Sequence, residues 1–151
     1  MIPSVRKGAA VGVAALAIAG GAAVVKTTYI DADGGGDVNA YVRRYDKFYA
    51  DNVHVVVRGA CYSSCTMALG YPNTCLEPNA VLGFHPAYVP YLLGLAHYTI
   101  NDEGTQVMRS RYPSDALAVI DKHHGLENKG GWLRPEITLI PGSEFPRRYQ
   151  C

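Results

Sequence analysis

Apolar and polar positions alternate along this chain in a way that separates a leader from a series of strands and helices. Lys26 to Ala32 is a short β-prone run, closed by Asp33, Gly34, Gly35 and Gly36, a loop signal. Val38, Tyr41, Val42, Tyr45, Phe48 and Tyr49 then fall at i, i+3, i+4, i+7, i+10 and i+11, which is one face of a helix. Asp37 is a good N-cap for it. Val53 to Val57 (VHVVV) predicts a buried strand, bounded by Arg58 and Gly59. Ser63 to Gly70 predicts a short helix of small and apolar residues, broken by Pro72 and Asn73. Ala80 to Phe84 (AVLGF) predicts a third strand, ending at His85 and Pro86. Further on, Asp115 to His123 reads as a helix with Gly125 as its stop, and Trp132 to Ile140 offers a last strand.

This β-α-β-α-β order with short connections predicts an α/β fold with a mostly parallel sheet joined by right-handed crossovers. One consequence bears on function. The Gly loop, Ser63 and His85 each follow the C-terminal end of a strand. In a parallel sheet those ends share one edge, the edge at which open α/β folds bind ligands.

The N-terminus has a different character. Arg6 and Lys7 precede an uncharged run from Gly8 to Val25, made mostly of Gly, Ala and Val. A basic start, an apolar stretch and small residues around Gly20 to Ala23 fit a secretory signal, and an uncleaved membrane anchor is its rival. A buried N-terminal element is the remaining alternative. Residues 1–25 are therefore expected to be a signal peptide or membrane anchor, and residues 26–151 the α/β domain. The protein is then exported, either periplasmic or anchored in the inner membrane through residues 1–25.

Composition narrows the classes. The 151 residues suit one domain, and 48% hydrophobic content suffices for a packed core. Fourteen basic and 13 acidic residues give a net charge of +1, which supplies no electrostatic footprint for nucleic acid. Cys61, Cys65, Cys75 and Cys151 fit export, with up to two disulfides in any of three connectivities. At least one bridge involving Cys61 or Cys65 is expected, because both flank Ser63. No CxxC pair suggests zinc, and the adjacent His123 and His124 point to different helix faces, so no metal site is expected.

Serine becomes a useful nucleophile only beside a base, and the oxyanion it creates needs N–H donors. Ser63 stands at a predicted helix start, where backbone N–H groups are free, and Ser64 supplies one of them. The Gly34–Gly36 loop can bring another close, and His85 ends the neighbouring strand. Here the motifs resemble a family. Asp33-Gly34-Gly35-Gly36-Asp37-Val38 is similar to the SPGGxV loop of Clp protease proteolytic subunits. Gly59-Ala60-Cys61-Tyr62-Ser63-Ser64 resembles their GxxxS nucleophile turn, and Asn79 to Pro86 resembles their strand ending in the catalytic histidine. The match covers roughly residues 28 to 86, with Gly34 where the family has proline and a leader where its preceding strands would be. The Cys-x-Ser-x-Cys turn looks like exported bacterial relatives of the Clp-protease/crotonase-like superfamily.

The resemblance implies a serine hydrolase, most simply a peptidase, with Ser63 and His85 catalytic and the Gly36 and Ser64 N–H groups forming the oxyanion hole. It does not place the triad aspartate; Asp102, Asp115 and Asp121 all lie downstream. It implies no cofactor, a peptide or protein substrate, and a homo-oligomer built beside the Tyr- and Leu-rich stretch after His85. A catalytically inactive binding module on the same fold is the alternative. An esterase-like or acyl-CoA activity ranks behind both, because no nucleotide or CoA feature is present.

Overall fold

The β-prone run after Lys26 becomes β1 (Thr27–Asp33), and the helical face after Asp37 becomes α1 (Val38–Ala50). The structure is a computed structural model that describes residues 25–90, 98–131 and 134–151. The leader expected at residues 1–25 lies outside the described residues, apart from Val25. Asp37 caps α1 by accepting a hydrogen bond from Ala40 N at 2.7 Å. Tyr45 is buried on the predicted face, and Val38, Tyr41, Val42 and Phe48 pack against the core. Tyr49 departs from that face: it is 67% exposed and meets Tyr71 edge-on.

β2 (His54–Tyr62) is the central strand, and it runs five residues past the predicted end at Val57. Arg58 and Gly59 look like strand terminators, yet both are accommodated. Arg58 faces solvent, where its guanidinium pairs with Asp31 and lies over Tyr29. A Cβ on Gly59 would stand 1.9 Å from the Asp31 carbonyl oxygen, so this residue lets β1 approach where its register shifts between Ile30 and Ala32.

The chain leaves β2 into a 3-10 helix, Ser63–Gly70, then β3 (Thr74–Leu76) and β4 (Val81–Phe84). β1, β3 and β4 all run parallel to β2. β3 pairs with the first half of β2, and β4 with its last three residues on the same edge. β3 was not legible in the sequence, being three residues behind Pro72 and Asn73. A hairpin of β5 (Tyr88–Pro90) and β6 (Tyr98–Ile100) follows, then α2 (Asp102–Arg111) and α3 (Ser114–Lys122). The predicted last strand is shorter than expected: β7 is Thr138–Pro141, antiparallel to β4, and its first predicted residue, Trp132, lies outside the described residues.

The sheet order is β1-β2-β4-β7, an α/β arrangement with a mostly parallel, mixed sheet. The 3-10 helix packs on β2, β3 and β4 and contacts α1 and α2. Every residue from Ser64 to Leu69 is buried, as expected for a helix of small and apolar residues without a polar face. Two disulfides fix the chain, Cys61–Cys65 and Cys75–Cys151. They point to an oxidising, exported location. Among the described residues, no helix is long and apolar enough to cross a membrane.

Candidate active site

β1, β2 and β4 end at Asp33, Tyr62 and Phe84, and the residues that follow each of them meet at one cavity of about 560 Å³. Gly34, Gly35, Gly36, Ser63 and His85 all line it, as do residues of β5, the start of α2, Arg134 and Ile137. The convergence expected from parallel strands is therefore present.

Ser63 sits where β2 turns into the 3-10 helix, and its φ of 57° lies in the left-handed region. A residue with a Cβ is held there at a cost of about 1–3 kcal/mol, which the surroundings must offset. Several contacts do so. Thr66 Oγ1 donates to the Ser63 carbonyl at 2.6 Å and shares a 2.7 Å bond with the Tyr112 hydroxyl. The Cys61–Cys65 bond closes the segment around Ser63, and the Tyr45 hydroxyl donates to the Cys65 carbonyl at 2.8 Å. Gly35, with φ of 78°, presses against the turn; a Cβ there would meet Ser63 Cβ and the Tyr62 carbonyl oxygen at 2.6 Å each.

The Gly loop is held from its own strand. Asp33 Oδ1 accepts from Gly35 N at 2.9 Å and from the Tyr41 hydroxyl, and Oδ2 pairs with Arg44 at 2.8 Å. Partial burial raises the Asp33 carboxyl, but the bonds from Tyr41, Gly35 and Arg44 outweigh it and hold the group below its usual value. Burial and the Asp33 carboxylate push the Tyr41 phenol up to about 12, so it stays a donor.

Ser64 has a role that sequence reasoning missed. Its side chain is fully buried and exchanges two bonds with Gly36: Gly36 N donates to Ser64 Oγ at 2.8 Å, and Ser64 Oγ donates to the Gly36 carbonyl at 2.9 Å. This latches the Gly loop to the turn at Ser63. The Gly36 N–H, expected in the oxyanion hole, is engaged by Ser64 Oγ in this conformation. No sequence signal marks such a latch beyond the second serine itself.

His85 is 6% exposed, and burial, with the Arg134 charge adding, lowers its pKa from the usual 6.5 against the opposing Pro86 bond. Both effects favour the neutral ring. Nδ1–H donates to the Pro86 carbonyl at 2.8 Å, which leaves Nε2 as the nitrogen with a lone pair. Tyr88 packs on the ring with centroids 5.5 Å apart. Ser63 and His85 share the cavity without a hydrogen bond to each other.

The candidate triad aspartates lie elsewhere. Asp115 pairs with Arg148 and accepts from the Tyr149 hydroxyl, which holds its carboxyl down at about 2. Asp121 is gripped by both Arg109 terminal nitrogens. Asp102 is in the first turn of α2, and none of the three is bonded to His85. The backbone carbonyl of Pro86 is the partner of His85 Nδ1. Asn101, Glu103 and Gly104 at the start of α2 also line the cavity and were not singled out from sequence. The Asn101 cap followed by Asp102 and Glu103 is the signal that could have found them.

No family model, curated protein or solved structure matches this chain.

Proposed function

We propose that this protein is a serine hydrolase of the peptidase type, on a fold of the Clp-protease/crotonase kind. The observation that carries the reading is a half-buried Ser63 in a left-handed turn, lining one cavity with a buried His85. Ser63 Oγ attacks the carbonyl carbon of the substrate while His85 Nε2 takes its proton. The imidazolium then protonates the leaving amine, and water releases the acyl group by the same route in reverse. The Pro86 carbonyl fixes the tautomer and supports the imidazolium by its dipole. The Ser64 N–H, at the 3-10 helix start, donates to the oxyanion, and the Gly36 N–H joins it once released from Ser64 Oγ. A charged oxyanion is the stronger acceptor of the two, so the exchange favours the transition state.

A second reading has specific support: among the described residues His85 has no carboxylate partner, and the Gly36 N–H is engaged, features that suit an inactive binding module. Turnover separates the two. A panel of peptide and ester substrates should be hydrolysed by the wild type, and His85→Ala should lose about 10²–10⁴-fold in rate. Hydrolysis unaffected by His85→Ala, or no hydrolysis of any substrate, favours the binding module.

A further inference from the structure

Ser63 occupies a conformation that side chains rarely adopt, and a covalent bond closes around it. Cys61 is near the end of β2, paired with Asp33 and Leu82, and Cys65 is the third residue of the 3-10 helix. Four extended residues would separate two Cα atoms by ~13 Å. The disulfide holds these two at 5.4 Å. The chain must therefore reverse within Tyr62, Ser63 and Ser64. Tyr62 is still extended, with φ of −116° and ψ of 155°, and the reversal falls on Ser63.

We propose that the Cys61–Cys65 disulfide positions Ser63, so that the site is latent while these cysteines are thiols and is assembled when they are oxidised. The inference rests on Ser63 being the nucleophile. The Sγ–Sγ bond forms as two protons and two electrons leave the thiols. They pass to the disulfide of an oxidant of the thiol–disulfide exchange class, which departs as a dithiol. A chain made in a reducing compartment then carries an unset nucleophile until it meets such an oxidant.

The second bridge serves a different part of the molecule. Cys75–Cys151 joins β3 to Cys151; none of the four cysteines lines the cavity, but only Cys61 and Cys65 bracket Ser63, which does. Cys75 is half-buried and Cys151 exposed, whereas Cys61 and Cys65 are both fully buried. A reductant therefore reaches Cys75–Cys151 first and Cys61–Cys65 only after the turn opens.

The test is graded reduction of the full oxidised chain with dithiothreitol. Free thiols are located by alkylation and mass mapping, Ser63 reactivity by the rate of fluorophosphonate labelling, and folding by circular dichroism. Opening Cys75–Cys151 should leave the labelling rate within about threefold, and opening Cys61–Cys65 should lower it about tenfold or more, with the fold retained and reoxidation restoring it. Cys61→Ala/Cys65→Ala should lower the maximal labelling rate while leaving reagent affinity unchanged, a split that general loosening does not produce. Labelling at the wild-type rate with both Cys61 and Cys65 free overturns the inference. If the double variant does not fold, the graded reduction decides alone. If the oxidised wild type takes no label, the nucleophile reading fails instead. Amide hydrogen exchange at Tyr62–Cys65 then decides the positioning claim: faster exchange on reduction supports it, and unchanged exchange overturns it.

Discussion

At the scale of single residues, the site depends on two backbone conformations and one imidazole. Gly35 has positive φ and no room for a Cβ, whereas a Cβ on Gly34 would meet nothing within 4 Å. Gly35→Ala should lower stability by about 2–3 kcal/mol and Gly34→Ala by no more than about 0.5 kcal/mol, measured by urea unfolding. Equal effects would contradict the packing of the loop on Ser63. On the proposed mechanism His85 sets the pH response. Burial first, and the Arg134 charge after it, keep its pKa below 6.5. The acid limb of kcat/KM should therefore lie below pH 6.5 in the wild type, and Arg134→Gln should move it upward. The same shift acts on stability. A lowered folded pKa means the unfolded chain takes the proton first, so this contribution is complete above pH 6.5 and is lost as pH falls through the folded value. An acid limb that ignores Arg134→Gln would show that another group titrates. The convergence of Ser63 and His85 was legible in the sequence because strand ends and parallel order are local patterns. The Ser64–Gly36 exchange and the Pro86 carbonyl were not, because they arise only when separate segments meet.

At the scale of elements, α1 and the Gly loop act as one unit through Asp33. Its carboxylate joins the loop, Tyr41 and Arg44, the last two one turn apart on the helix. Asp33→Ala should cost about 1–2 kcal/mol, and Tyr41→Phe less, in the same unfolding measurement. The pKa of Asp33 is depressed, so this support is complete above pH 3.8 and is lost as pH falls through the folded value. No difference between Asp33→Ala and wild type would mean the loop is held without it. α1 was legible because six apolar residues repeat with the helical period. The second half of β2 was not, since Arg58 and Gly59 carry stop signals that only pairing with β1 overrides. α2 escaped notice because Val107 and Met108 are its only large aliphatic residues, too few to define a face. β7 was misplaced at its start because β4, not local pattern, selects Thr138 to Pro141.

At the scale of the whole molecule, the C-terminus is stitched to the sheet. Cys151 N donates to the Leu76 carbonyl at 3.0 Å, Gln150 bridges Leu76, and Cys151 is bonded to Cys75 across 76 positions of sequence. A loop of that length makes the bridge a large constraint on the unfolded chain. Cys75→Ala/Cys151→Ala should lower stability by about 2–4 kcal/mol while leaving the cavity intact. Unchanged stability would show that backbone pairing alone anchors the tail. The β5–β6 hairpin carries Tyr88 against His85 and Tyr98, and the two tyrosines are both within the stretch from Pro86 to Tyr98 from which the sequence predicts self-association. Light scattering at tens of micromolar should find a dimer or larger species; a strict monomer would contradict that expectation.

The most direct measurement of the central claim is peptide mapping of the oxidised protein after fluorophosphonate treatment at pH 7.5. The wild type should carry one phosphonyl adduct, located on Ser63 and not on Ser64. Ser63→Ala should carry none, Ser64→Ala should still be labelled at Ser63, and His85→Ala should react far more slowly. A wild-type protein that takes no label, or one labelled at Ser64 with Ser63→Ala unaffected, would contradict the assignment of Ser63 as nucleophile.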